Sequence, residues 1–346
     1  MRTATPLAPR RTLRRALRRA LRLRRALGAA FAAALLPSAG AAPLAAQPAP
    51  AAAPLVGRWD LTVVDPAGGT HPSWLEVALS GRSTLVGRFV GREGSARPVA
   101  RVDVADGGFR FALPRQWEEG AGELRVEGRL AGERLEGTLV TPAGARRRWT
   151  ATRAPALVRP DPARWEAPIA LFDGTEASLA QWAPHGGGAS QWRVVDGVLV
   201  NAASGANLRT TRTFDDFTLH LEFRYPAGGN SGVYLRGRHE VQIEDTPARP
   251  VPTPLDVGGV YGFLAPNAIA ATGPGAWQTY DITLVGRRVT VVLNGRVVIA
   301  DQLIPGITGG ALDADEGAPG PILLQGDHTA VEFRNVVLRP AAAAPR

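Results

Sequence analysis

From residue 57 to residue 340 the chain is cut into short runs in which apolar and polar residues alternate, separated by Gly, Pro and Asp, and this pattern restricts it to an all-β fold. The runs "GRWDLTVV", "SWLEVALS", "TLVGRFVG", "GFRFALP", "ELRVEGRL", "RLEGTLV" and "RRRWTAT" fill 55–153. A strand puts successive side chains on opposite faces, so period-two alternation with close turn signals predicts antiparallel strands. The "GRWDLTV" opening, with Gly57 and Trp59, is like the G-x-W start of lipocalin-type barrels, so 55–153 is expected to be a small barrel or a small sandwich. A Pro-rich connector follows at 154–168, "APALVRPDPARWEAP", and predicts an extended linker. More strands occupy 169–340, with no capped amphipathic helix after residue 50. Asn294-Gly295, between two β-branched runs, predicts a two-residue hairpin turn. By the usual size of domains the two strand-rich stretches are expected to fold separately, with the connector open to proteolysis.

Charge is distributed unevenly. The net charge is +9, but ten arginines stand in the first 25 residues and no Asp or Glu precedes Asp60, so removing that segment leaves 9 − 10 = −1. The basic head, the apolar run "ALGAAFAAALL" and the small residues after it have the layout of a signal peptide over 1–46, followed by a linker at 47–54. Export to the periplasm or the medium is the expectation, with a basic amphipathic helix on a membrane or nucleic acid as the alternative. The apolar run is too short to span a bilayer, which takes about 20 residues. A nearly neutral remainder gives no electrostatic case for nucleic acid. The chain has no cysteine, which excludes disulfides and Cys-bearing metal sites, and no lysine, which excludes Schiff-base chemistry and a P-loop.

The densest chemistry lies in "GGNSGVYLRGRHEVQIEDTP", 228–247. Val233, Leu235, Val241 and Ile243 fall in one phase; Tyr234, Arg236, Glu240, Gln242 and Glu244 fall in the other. Placed together with His220, Glu222 and Arg224 on an earlier strand and Gln325 on a later one, they predict one polar sheet face suited to hydrogen-bonding sugar hydroxyls.

Over 169–340, "LFDGTEASLAQW", "WRVVDGVLV", "FDDFTLHLEFRYPAGGNSGVYLRG", "HEVQIED", "WQTYDITLVGRRVTVVLNGRVV" and "LQGDHTAVEFRNVVLR" resemble the 3-keto-disaccharide hydrolase domain in order and spacing. The resemblance implies a concanavalin-like jelly-roll sandwich and cleavage of a glycosidic bond in a sugar already oxidised at C3. A C3 ketone acidifies C2–H, so a side-chain base can form an enolate, the C1 substituent leaves, and water adds afterwards. On that implication His328 is the candidate base, oriented by Asp327; Arg236 would hold the enolate oxygen, and Glu240 with Gln242 would bind the sugar hydroxyls or relay the proton to the leaving group. Gln242, Tyr234, Glu222, Asn230 and Gln325 would bind substrate, with Asn230 also readable as a turn residue. No cofactor is required; a divalent cation is compatible with the His and carboxylates, and no ligand spacing demands one. No dinucleotide fingerprint occurs, so a separate sugar 3-dehydrogenase would supply the ketone. Glu244 stands where the family tends to be apolar, giving "E-V-Q-I-E". This leaves open a retaining endo-glycosidase using Glu240 and Glu244, or a sugar-binding module without catalysis.

Overall fold

The computed structural model describes residues 53–342, and the segment expected to be a signal peptide lies outside them. Eight strands, β1 (Gly57–Val64), β2 (Thr70–Ser80), β3 (Thr84–Val90), β4 (Arg97–Ala105), β5 (Gly108–Pro114), β6 (Glu123–Ala131), β7 (Arg134–Val140) and β8 (Arg146–Arg153), pair in sequence order. β1 also pairs with β8, from Trp59 opposite Arg153 to Val64 opposite Arg148, so the sheet closes into a barrel. Of the two architectures open from sequence, closure is the one that leaves no sheet edge. Trp59, Leu61, Val63, Phe109, Phe111, Val126 and Trp149 fill its interior, as the alternation predicts.

The remaining strands form two stacked sheets. β9 (Ile169–Phe172) is followed by the four-residue helix α1 (Glu176–Leu179), which Thr175 caps by accepting the Ser178 N–H at 3.2 Å. Then come β10 (Trp182–Pro184), β11 (Arg193–Val195), β12 (Val198–Asn201), β13 (Leu208–Thr210) and β14 (Phe217–Arg224). After these run β15 (Asn230–Leu235), β16 (His239–Glu244), β17 (Gln278–Val285), β18 (Arg288–Leu293), β19 (Arg296–Leu303), β20 (Leu323–Leu324) and β21 (Val331–Pro340). One sheet has the order β10-β13-β20-β15-β16; the other runs β11-β12-β21-β14-β17-β18-β19, with β9 beside β21. Their facing residues, among them Leu219, Leu221, Phe223, Val233, Leu235, Val241, Ile243, Tyr280 and Phe333, make one apolar core. Asn294 (φ 51°) and Gly295 (φ 76°) form the expected hairpin turn, with Leu293 opposite Arg296.

Barrel and sandwich touch through Trp74 of β2, which is fully buried against Val90 and Ile307 and meets Phe263 edge-on at 5.3 Å between centroids. Arg58 of β1 donates to Pro305 O at 2.7 Å and to Pro155 O at 2.6 Å, tying both the sandwich and the connector to the barrel. The sequence gives no sign of this interface, because each partner is a single residue in a run that already has a role. Trp74→Ala leaves a cavity at that junction, and an aromatic-to-alanine change in a core costs about 3–5 kcal/mol. Chemical denaturation should show a loss of that size.

Candidate functional site

β15 and β16 pair with Tyr234 opposite Glu240, Gly232 opposite Gln242 and Asn230 opposite Glu244. β20 joins on the other side, where Val233 lies opposite Leu324, and the Gln325 N–H donates to Gly232 O at 2.9 Å. The residues out of phase with the core therefore share one face across three strands: Asn230, Tyr234, Glu240, Gln242, Glu244 and Gln325. This face is not wet in the way an outer sheet face is. Tyr234, Glu240 and Gln242 are each only 3% exposed.

Glu240 is the chemical centre of the face. Its Oε2 lies 3.0 Å from the Tyr234 hydroxyl, which is also 3.0 Å from Gly309 O. A phenol has one proton for two acceptors, so both contacts are hydrogen bonds only when Glu240 carries a proton of its own. Burial drives Glu240 the same way and pushes its carboxyl up to about 8, against the opposing pull of the Tyr234 hydrogen bond and the His328 charge. The glutamate fits only because residue 232 is glycine: a Cβ there would stand 2.2 Å from Glu240 Oε1.

His328 is placed by the loop between β20 and β21. Its Nδ1 lies 2.6 Å from Asp327 Oδ1. That hydrogen bond, more than the opposing burial, raises the imidazole above its ordinary range, and the charges of Asp327, Glu240 and Glu93 add to it. Burial acts to raise Asp327, but its hydrogen bond and charge pairing with His328 prevail and hold the carboxyl low. Asn207 fastens the loop: its Nδ2 donates to Asp327 Oδ2 at 3.1 Å and its Oδ1 accepts the Gly326 N–H at 2.7 Å. Thr329 ties it to β15, accepting the Asn230 N–H at 2.8 Å and donating to Asn230 O at 2.9 Å. Asn230 thus anchors the histidine loop through its backbone while its side chain shares the polar face.

Two amides complete the face. Gln242 Oε1 accepts the Ile243 N–H at 3.1 Å, which leaves its NH2 as the donor. Gln325 Oε1 is buried without a hydrogen-bond partner, a free acceptor on this face. Among the described residues no group of three or more His, Asp or Glu side chains is arranged to hold a metal ion.

Arg236 and Glu222 stand elsewhere. Arg236 lies in the turn after β15 with φ 52°, so strand alternation no longer governs it; its buried guanidinium bonds Gly286 O and sits 3.3 Å from Asp215. Glu222 belongs to β14 in the other sheet, on whose outer face it takes Arg334 Nε at 2.7 Å and Asn335 at 2.5 Å. His220 and Arg224 accompany it there, paired with Asp281 and Glu332. Alternation assigns a residue to a face but not a strand to a sheet, and these residues are therefore an ion-paired outer surface. Conversely, Asn207, Thr329 and Tyr261 frame the face without any local sequence signal.

The architecture is all-β: a sandwich with a buried carboxylic acid on one sheet and an Asp-His pair on the loop beside it, joined to a closed barrel. A family model described as 3-keto-alpha-glucoside-1,2-lyase-like domain matches residues 167–339, half of the chain. The chain belongs to this family, which makes it a carbohydrate-active enzyme. Three crystal structures from Parabacteroides distasonis ATCC 8503, each provisionally named a glycosyl hydrolase, are similar to it. The first is 30% identical, with 53% of this chain and 93% of that one covered and a TM-score of 0.44. The second is 20% identical over 51% and 94%, with a TM-score of 0.41, and the third 25% identical over 46% and 98%, with a TM-score of 0.35. A comparison with curated proteins finds no match. No helix among the described residues is long and apolar enough to cross a membrane.

Proposed function

We propose that the chain cleaves 3-keto-glycosides by removing the C2 proton and expelling the C1 substituent, and that it acts as an exported protein downstream of a separate sugar 3-dehydrogenase. One observation carries the reading: a half-exposed His328, backed by Asp327, lies near enough to Glu240 for each to feel the other's charge, and Glu240 is a carboxyl kept protonated near neutral pH. A base and an acid with different environments on one face are what elimination needs. His328 takes the proton from C2, and the C–H electron pair becomes the enolate at C3–O. The ketone re-forms, the C1–O bond breaks with its electrons on the leaving oxygen, and Glu240 supplies the proton that oxygen needs. Water then adds at C1, giving up one proton to the Glu240 carboxylate as His328 returns a proton to C2, so that both groups regain their starting states. The amides of Gln242 and Gln325 stand where Arg236 does not, as the neutral hydrogen-bonding groups beside the sugar.

This assignment fixes a pH profile. His328 must be neutral, so the acid limb of kcat/KM titrates above 6.5, the ordinary value for histidine; Glu240 must be protonated, so the alkaline limb falls near 8. A rate rising steadily to pH 9 contradicts the acid role of Glu240. The substrate test is direct. Purified protein should cleave a 3-keto-glycoside and leave the same glycoside with a C3 hydroxyl intact; cleavage of the unoxidised glycoside instead points to the Glu240/Glu244 glycosidase, and binding without cleavage of either points to a lectin-like module.

A further inference from the structure

The barrel reaches the polar face. Its β3–β4 loop (91–96) lies on residues 309 and 310: the Gly310 N–H donates to Arg92 O at 2.9 Å, and a Cβ on Gly309 would stand 2.2 Å from Gly94 O. The same two residues touch the Tyr234 hydroxyl, through Gly309 O at 3.0 Å and a Cβ position on Gly310 only 2.5 Å away. On its other flank the loop lies against Gly262, where a Cβ would be 2.7 Å from Ser95 Cβ. Next to Gly262 is Tyr261, whose N–H donates to Glu240 O at 3.0 Å. One loop of the barrel is thus wedged between the two segments that flank Glu240, and the charge of Glu93 reaches His328.

The β5–β6 loop carries Trp117, which is 67% exposed. An exposed indole costs hydrophobic free energy, and this one is held out by a clamp rather than left on a loose loop. Arg97, 8% exposed, donates to Pro114 O at 3.0 Å and to Glu118 at 2.7 Å. The Gln116 N–H donates to Glu118 at 2.7 Å, and the Gln116 amide NH2 donates to Ser95 Oγ at 2.7 Å. The loop is therefore fixed on both sides of Trp117 and fastened to the loop already wedged beside Glu240. The indole itself lies against the wedged loop, where a Cβ on Gly94 would stand 2.7 Å from Trp117 Cδ1.

We propose that the barrel forms the outer wall of the glycoside site and that Trp117 stacks on the ring of the leaving group, a second pyranose or an aryl aglycone. The apolar C–H face of a pyranose and an aryl ring present the same flat surface to an indole. Glu240 and His328 hold the oxidised sugar and Trp117 takes the next ring outward, which makes the barrel a determinant of aglycone choice. This rests on the carbohydrate-site reading above.

The test compares methyl 3-keto-α-glucoside, whose leaving group has no ring, with 3-keto-trehalose, using the full chain. Trp117→Ala should raise KM for 3-keto-trehalose about ten-fold with kcat little changed, leave the methyl substrate within about two-fold, and be largely rescued by Trp117→Phe. Equal losses on both substrates, or none on either, overturn the proposal. If the wild-type protein cleaves neither substrate, the catalytic reading falls, and titration calorimetry with trehalose itself decides the platform. Binding that weakens about ten-fold in Trp117→Ala supports it; equal titrations of the two proteins, or no binding by either, overturn it.

Discussion

His328→Ala should lower kcat on a 3-keto-glycoside by about 10²–10⁴-fold, the range for a lost general base, with a far smaller change in KM. The imidazole is half exposed and its loop is held by Asn207 and Thr329, so the substitution removes the base without loosening its support. The acid limb of the pH profile should vanish with it. Asp327→Asn tests the pairing separately: the charged acceptor that raises His328 is replaced by a neutral amide, so the acid limb should move to lower pH and the rate should fall less than in His328→Ala. Equal activity of His328→Ala and wild type would remove His328 from the chemistry.

Glu240→Gln should stabilise the protein in alkaline solution while lowering turnover. The carboxyl titrates near 8 in the folded chain and near its ordinary 4.5 when unfolded. Below pH 4.5 both states carry the proton and the group adds no pH-dependent term. As pH rises the unfolded chain releases its proton first, so folding loses free energy progressively until about pH 8, above which the loss levels off. At 1.36 kcal/mol per pH unit this comes to roughly 5 kcal/mol. A glutamine keeps a neutral donor toward the Tyr234 oxygen and has no proton to lose. Denaturation at pH 9 should therefore favour Glu240→Gln by several kcal/mol, and the difference should shrink toward pH 4. The activity loss should be greatest for poor leaving groups, which depend most on the acid. A variant less stable than wild type at pH 9 contradicts the protonated, buried state of Glu240.

Much of this was legible because strand alternation is a strong physical signal. The core phases Val233, Leu235, Val241 and Ile243 and the polar phases Tyr234, Glu240 and Gln242 lie on the faces that period two assigns. What alternation lacks is strand neighbourhood, so by phase alone Glu222 falls with a face that belongs to another sheet. It also fails where a strand ends: Arg236, at positive φ, turns toward Asp215. The depth of the site was equally hidden. Nothing local marks Tyr234 and Glu240 as buried, because residues 309 and 310 and the barrel loop that packs on them come from distant parts of the sequence. His328 and Asp327, by contrast, are adjacent in the chain, and their pairing follows from that adjacency with Asn207 as its clamp.

The most direct measurement of the account follows the hydrogen at C2. A 3-keto-glycoside carrying deuterium at C2, cleaved in ordinary water with the products read by mass spectrometry and NMR, should give a sugar that has lost the label, and cleavage should be slower than for the protiated substrate. Products that keep the C2 deuterium in full, at a rate equal to that of the unlabelled substrate, would contradict proton abstraction by His328 and place the bond cleavage at C1 alone.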